Sequence, residues 1–110
     1  MDEIQKYTVR ANKGRARIWI EGARLLAAGF KRGVSYAVGT DRFETMLYLI
    51  VVDDPDNYEG VGKLKKVSGK GERPIIDLSG SGCGPFNTGD QVTITYSDWE
   101  GIIKIERDRP

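Results

Sequence analysis

Two stretches of the chain repeat each other 56 positions apart, and this restricts the possible folds more than any single residue does. Arg17-Ile18-Trp19-Ile20-Glu21, followed by Ala28-Gly29-Phe30-Lys31-Arg32-Gly33-Val34-Ser35-Tyr36-Ala37-Val38, returns as Arg73-Pro74-Ile75-Ile76-Asp77 and then Gly84-Pro85-Phe86-Asn87-Thr88-Gly89-Asp90-Gln91-Val92-Thr93-Ile94. At that offset Arg17 meets Arg73, Ile20 meets Ile76, Glu21 meets Asp77, Phe30 meets Phe86, Gly33 meets Gly89 and Val38 meets Ile94. Each half closes on a second apolar run, Met46 to Val52 and Gly101 to Ile105. In a chain of 110 residues, either half buries too little apolar surface to stand alone. The two halves are therefore expected to share one core, as in a dimer joined into a single chain.

Within each half the dominant local signal is alternation with period two. Tyr7 to Val9, Arg17 to Ile20, Ser35 to Val38, Leu47 to Val52, Pro74 to Leu78, Val92 to Tyr96 and Ile102 to Ile105 have the apolar and β-branched content of short strands. Glu21 to Gly29 holds good helix formers and ends on a Gly suited to a left-handed cap, which predicts one short helix. The equivalent Ser79-Gly80-Ser81-Gly82-Cys83-Gly84-Pro85 cannot form a stable helix, because Gly and Pro cost too much in a helix interior. Lys31-Arg32-Gly33 and Asn87-Thr88-Gly89-Asp90 read as tight turns with positive φ at Gly, and Gly39-Thr40-Asp41 and Ser97 to Gly101 as hairpin tips. The organisation expected is a single domain over 1–110, with repeat one at about 6–52, an acidic linker at about 53–62 and repeat two at about 63–106.

The net charge of +1 conceals an uneven distribution. Residues 1–50 hold nine Lys or Arg against five Asp or Glu, and residues 51–110 hold eight against eleven. Cations gather at the entry to each half: Lys6, Arg10, Lys13, Arg15 and Arg17 in the first, Lys63, Lys65, Lys66, Lys70 and Arg73 in the second. Catalysis is not expected. The chain has no His, which removes the commonest general base and metal ligand, and its single Cys83 lacks a dyad partner and reads as a small buried residue. Gly80-Ser81-Gly82-Cys83-Gly84 lacks the Lys-Ser/Thr of a phosphate-binding loop, and Asp53-Asp54-Pro55-Asp56 lacks the ligand spacing of a calcium loop. Neither cofactor nor metal is expected. No apolar run approaches the roughly 20 residues needed to span a bilayer and no signal sequence opens the chain, so a cytoplasmic location is expected.

In each half a basic strand leads into an Arg-apolar strand, a short helix or turn, Gly-Phe-x-x-Gly or Pro-Phe-x-x-Gly-Asp, and a β-hairpin. This order resembles the swapped-hairpin family of the AbrB, MazE and SymE type, with Ala28 to Gly33, Leu78-Ser79-Gly80 and Phe86 to Asp90 closest to the SymE pattern. The resemblance implies a mainly β fold with one short helix, a swapped-hairpin barrel built from two internal repeats. It also implies a DNA-binding regulator or antitoxin, meeting double-stranded DNA through Arg10, Lys13, Arg15, Arg17 and Arg24 in the first half and Lys66, Lys70 and Arg73 in the second.

The residues support that expectation on their own account, since alternating cations on a strand share a face and neutralised phosphates release counterions. Arg15, Arg17 and Arg24 are the expected base contacts, and Lys6, Lys13, Lys66 and Lys70 the phosphate contacts. A second reading stays open, in which the acidic second half serves a protein-binding inhibitor module, of the kind a mobile element encodes, through Asp90, Asp98, Trp99 and Glu100, with Glu106 and Asp108 completing one negative patch. A third is a SymE-like toxin acting on nucleic acid. Trp99, between Asp98 and Glu100, suits protein contact better than base stacking.

Overall fold

The computed structural model describes residues 2–60, 64–70 and 72–108. Ten strands and one short helix follow in the order β1 (Glu3–Thr8), β2 (Arg10–Asn12), β3 (Arg15–Glu21), α1 (Ala23–Ala27), β4 (Ser35–Thr40), β5 (Met46–Val51), β6 (Lys65–Lys66), β7 (Ser68–Lys70), β8 (Arg73–Ser79), β9 (Gln91–Tyr96) and β10 (Ile102–Arg107). Single 3-10 turns lie at Pro55–Asn57 and Gly80–Cys83. All seven expected strands are present. The three that the apolar pattern does not foretell, β2, β6 and β7, are two or three residues long and mostly basic or polar.

The strands form two antiparallel sheets, one of six in the order β1-β9-β10-β5-β4-β6 and one of four in the order β2-β3-β8-β7. The expected barrel is corrected by this arrangement: both sheets are open among the described residues. The cause is a change of sheet at a single residue in each half. Val9 separates β1 from β2 and Val67 separates β6 from β7, and both are buried. Val9 donates to the carbonyl of Asp90 (2.9 Å) and accepts from Gly89 N–H (2.8 Å), while Val67 donates to Val34 (2.9 Å) and accepts from Gly33 (2.8 Å). A strand that would otherwise run on is thereby bent from one sheet into the other.

The inward faces fill one core. Ile18, Ile20, Ile76 and Leu78 come from the four-stranded sheet, and Tyr36, Leu47, Leu49, Val92, Ile94, Tyr96, Ile103 and Ile105 from the six-stranded one. Each fully buried branched side chain contributes about 1.5–3 kcal/mol of transfer free energy, so this shared layer is the main adhesive between the halves. Phe30 meets Tyr36 edge to face at 6.0 Å between ring centroids.

The helix is only five residues long, too short to persist by propensity, and is fixed by its end and its buried side. Phe30 N–H donates to Leu25 and Gly29 N–H to Leu26, the two bonds of a Schellman cap, with Gly29 at φ 98°. Leu25 and Ala28 are fully buried beneath it. In the second half the 3-10 turn stands in its place, as the three Gly require. Gly33 and Gly89 adopt φ 89° and 92°, the positive values expected of the two turns. β4 and β9 begin 56 positions apart (35 and 91), as do β5 and β10 (46 and 102), but β3 and β8 begin 58 apart (15 and 73). The stretch from the start of β8 to the start of β9 is two residues shorter than that from the start of β3 to the start of β4, where the helix lies, so a single offset of 56 does not relate the strands of the two halves.

Candidate nucleic-acid interface

The outer face of the four-stranded sheet gathers most of the cations named above. Ile18 and Ile20 point into the core, so Arg15, Arg17, Trp19 and Glu21 face outward, and Ile76 and Leu78 likewise leave Arg73, Ile75, Asp77 and Ser79 outside. Directly opposed residues in an antiparallel pair share a face. Arg10 lies opposite Arg17, Asn12 opposite Arg15, and Lys70 opposite Arg73. One face of the sheet therefore carries Arg10, Arg15, Arg17, Lys70 and Arg73, and the turn between β2 and β3 adds Lys13.

Two of these cations are already engaged. Arg17 donates to Asp77 from Nε and from Nη2, both at 3.0 Å, and its guanidinium lies 4.6 Å from the centroid of the Trp19 ring. Accepting these hydrogen bonds, Asp77 pushes the Arg17 pKa up from its ordinary value. Arg73 donates to Glu21 at 3.1 Å. Glu21 and Asp77, which the sequence marked only as repeat positions, are thus the anions that hold the centre of the face neutral.

Arg10, Lys13, Arg15 and Lys70 have no ion pair among the described residues. The two like-charged cross-strand pairs, Arg10 with Arg17 and Lys70 with Arg73, are each destabilising in themselves, and only the inner member of each is compensated. Lys13 sits at φ 54° and Gly14 at φ 77°, the two positive values of a type I′ turn, and Lys13 is exposed at the end of the hairpin. Trp19 faces Asp77 at the centre of the β3–β8 pair. Arg15 and Arg73 lie four residues to either side of that point, roughly 26 Å apart along the strands.

Three expected contact residues lie elsewhere. Lys6 is on β1, the edge of the other sheet, within 3.3 Å of Asp108, whose carboxyl is held below its ordinary pKa first by a hydrogen bond from Thr93 and then by Lys6. Arg24 is on α1 and pairs with Glu3 at 3.2 Å. Lys66 is on β6, opposite Ser35 in the six-stranded sheet. Lys63 lies outside the described residues, as do the last two residues of the acidic linker.

The acidic residues do not form one patch. Glu100 precedes β10 and Asp108 follows it, which puts them at opposite ends of that strand. Asp90 receives Arg107 at 3.0 Å, Glu106 pairs with Lys104 at 3.6 Å, and Asp98 and Glu100 remain together with Trp99 at the hairpin tip. Cys83 is fully buried, its thiol donates to the Leu78 carbonyl, and burial pushes its pKa up, so it is not poised as a nucleophile. No group of three His, Cys, Asp or Glu among the described residues is arranged to hold a metal, and no helix there is long and apolar enough to cross a membrane. Comparisons of the chain with protein-family models, curated proteins and solved structures find no match.

Proposed function

We propose that the chain binds double-stranded DNA through the outer face of the β2-β3-β8-β7 sheet, and acts by occupying that DNA, as a small transcriptional regulator or antitoxin-like factor, rather than by catalysis. The observation that carries this reading is the pair of like-charge cross-strand contacts, in each of which only the inner member has an ion-pair partner. Arg10 beside Arg17 and Lys70 beside Arg73 are costly in a free protein and become favourable when an anion lies across the face. Arg10, Lys13 and Arg15 form one basic end and Lys70 with Arg73 the other. Their separation of roughly 26 Å is shorter than the ~34 Å of one DNA turn, so both ends can reach phosphates of the same turn.

The reading extends to the fold. Exchanging β1 with β6, β2 with β7, β3 with β8, β4 with β9 and β5 with β10 reverses the strand order of each sheet and leaves it otherwise unchanged. The central pairs Tyr48–Lys104 and Trp19–Asp77 stand 56 and 58 positions apart, where a two-fold axis relating the halves would cross each sheet. β1 adds to the second half's hairpin and β6 to the first's. This supports a swapped-hairpin pseudo-dimer of the AbrB, MazE and SymE type, opened from a barrel into two sheets.

Fluorescence anisotropy on a labelled 20-base-pair duplex tests the assignment. Changing Arg10, Arg15 and Lys70 together to Ala is expected to weaken binding by more than tenfold at about 50 mM salt, with the circular dichroism spectrum unchanged. Undiminished affinity in that triple variant would overturn the interface.

A further inference from the structure

Trp99 is the largest side chain the fold leaves in water, 73% exposed, and its backbone is held at φ 67°, a conformation that bulky residues rarely adopt. The strain persists because neighbours fix the tip. Trp99 N–H donates to the Ala27 carbonyl at 3.0 Å and Gly101 N–H to that of Ala28 at 2.8 Å, both at the end of α1. Asp98 N–H donates to the Asp2 carboxylate at 3.2 Å, and Ile102 N–H to Ser97 Oγ at 3.0 Å. The tip is therefore clamped against helix and N-terminal strand while its ring is left outside. Other exposed apolar side chains stand on the adjoining elements: Leu26 on the clamping helix, and Ile102 opposite Ile50 where the hairpin rejoins the sheet.

Phe43 occupies the equivalent tip of the other hairpin, 56 positions earlier, and is 78% exposed. That tip is held by its own Asp41, whose carboxylate accepts from Thr45 and Met46. Among the described residues only the Trp99 tip is braced by the helix, which lies in the first half. Its two flanking residues are acidic, which repels phosphate and attracts cations.

We propose that the Trp99 tip is a docking site for a protein partner that presents an apolar pocket rimmed by Lys and Arg. An exposed Trp is among the residue types enriched as anchors of such contacts, and fixing the backbone of the tip beforehand lowers the entropy cost of ordering it on binding. The exposed Glu100 carboxylate beside the ring sets the charge of the rim it would meet. This site belongs to the six-stranded sheet and α1 and is independent of the nucleic-acid reading.

The probe is a synthetic amphipathic peptide whose leucine face is bordered by Lys, compared with the same peptide bordered by Glu, both titrated while tryptophan emission is followed. The Lys-bordered peptide is expected to shift the emission to shorter wavelength and to bind at least tenfold more tightly than the Glu-bordered one. Trp99→Gly tolerates the positive φ and so retains the fold; it is expected to abolish the spectral change and cost at least tenfold in affinity, whereas Phe43→Ala leaves both unaltered. Glu100→Gln is expected to lower affinity for the Lys-bordered peptide severalfold. Equal binding of the two peptides, or undiminished affinity in Trp99→Gly, would overturn the proposal. So would sedimentation showing that the free chain self-associates through this tip and that Trp99→Gly abolishes the association.

Discussion

At the scale of single residues, the side chains that matter for the proposed contacts are held where the fold gains nothing from them. Lys13 occupies the first central position of a type I′ turn with φ 54°, where Asn would be at ease and Lys carries a left-handed penalty of about 1 kcal/mol. Lys13→Asn is therefore expected to raise the unfolding free energy in urea by roughly 0.5–1 kcal/mol and at the same time to weaken duplex binding. A stability gain without loss of affinity would remove Lys13 from the interface. Arg17 behaves in the opposite way, because its guanidinium is committed to Asp77 and Trp19. The sequence makes Arg17 look like a DNA contact because the strand alternation is visible, whereas the partner that engages it is 60 residues away and becomes a neighbour only through the register of β3 on β8. Trp99 was legible as an exposed aromatic between acids; the clamp on α1 was not, since no local pattern joins residue 99 to residue 27.

At the scale of elements, turns and edges depend on carboxylates that the fold keeps ionised. Asp90 caps its own turn by accepting from Asn87 N–H and from Arg107, and these hold its pKa below the ordinary value; Asp41 is lowered in the same direction by Thr45, and Asp108 by Thr93. A depressed folded pKa gives stability that is present above the unfolded value, near 4, and is lost as pH falls through the folded one. On the alkaline side burial pushes Tyr36 up to about 12 and raises Tyr96 and Cys83. A raised acid gives stability that is complete below its unfolded pKa and is lost as pH rises towards the folded value. With no His to titrate between, melting temperature is expected to be flat from about pH 5 to 8 and to fall on either side, and Asp90→Asn is expected to make the acid limb shallower. A steep slope inside that plateau would contradict this account. The long strands were readable because one of their faces must be buried. β2, β6 and β7 were not, because a two- or three-residue edge strand needs no apolar face to earn its hydrogen bonds.

At the scale of the molecule, the two halves cannot be separated, because each lends a strand to the other's hairpin and the inner faces of both fill one core. Residues 1–60 expressed alone are expected to lack the circular dichroism of a folded β protein, and to recover it on mixing with the remainder of the chain. A stable folded monomer from the first half would contradict the interleaved arrangement. One shared core was to be expected from a chain this short, but the division into two sheets turns on single residues, Val9 and Val67, that look like ordinary strand positions in sequence. The central claim remains that the surface built across these halves meets the DNA backbone. The most direct measurement is the affinity for a random-sequence duplex from about 20 to 200 mM salt, plotted as log affinity against log salt. With Arg10, Lys13, Arg15 and Lys70 as contacts, the account predicts a slope of about −3.6, which collapses towards zero when all four are changed to Gln. No binding at the lowest salt, or a slope that the four substitutions leave untouched, would contradict it.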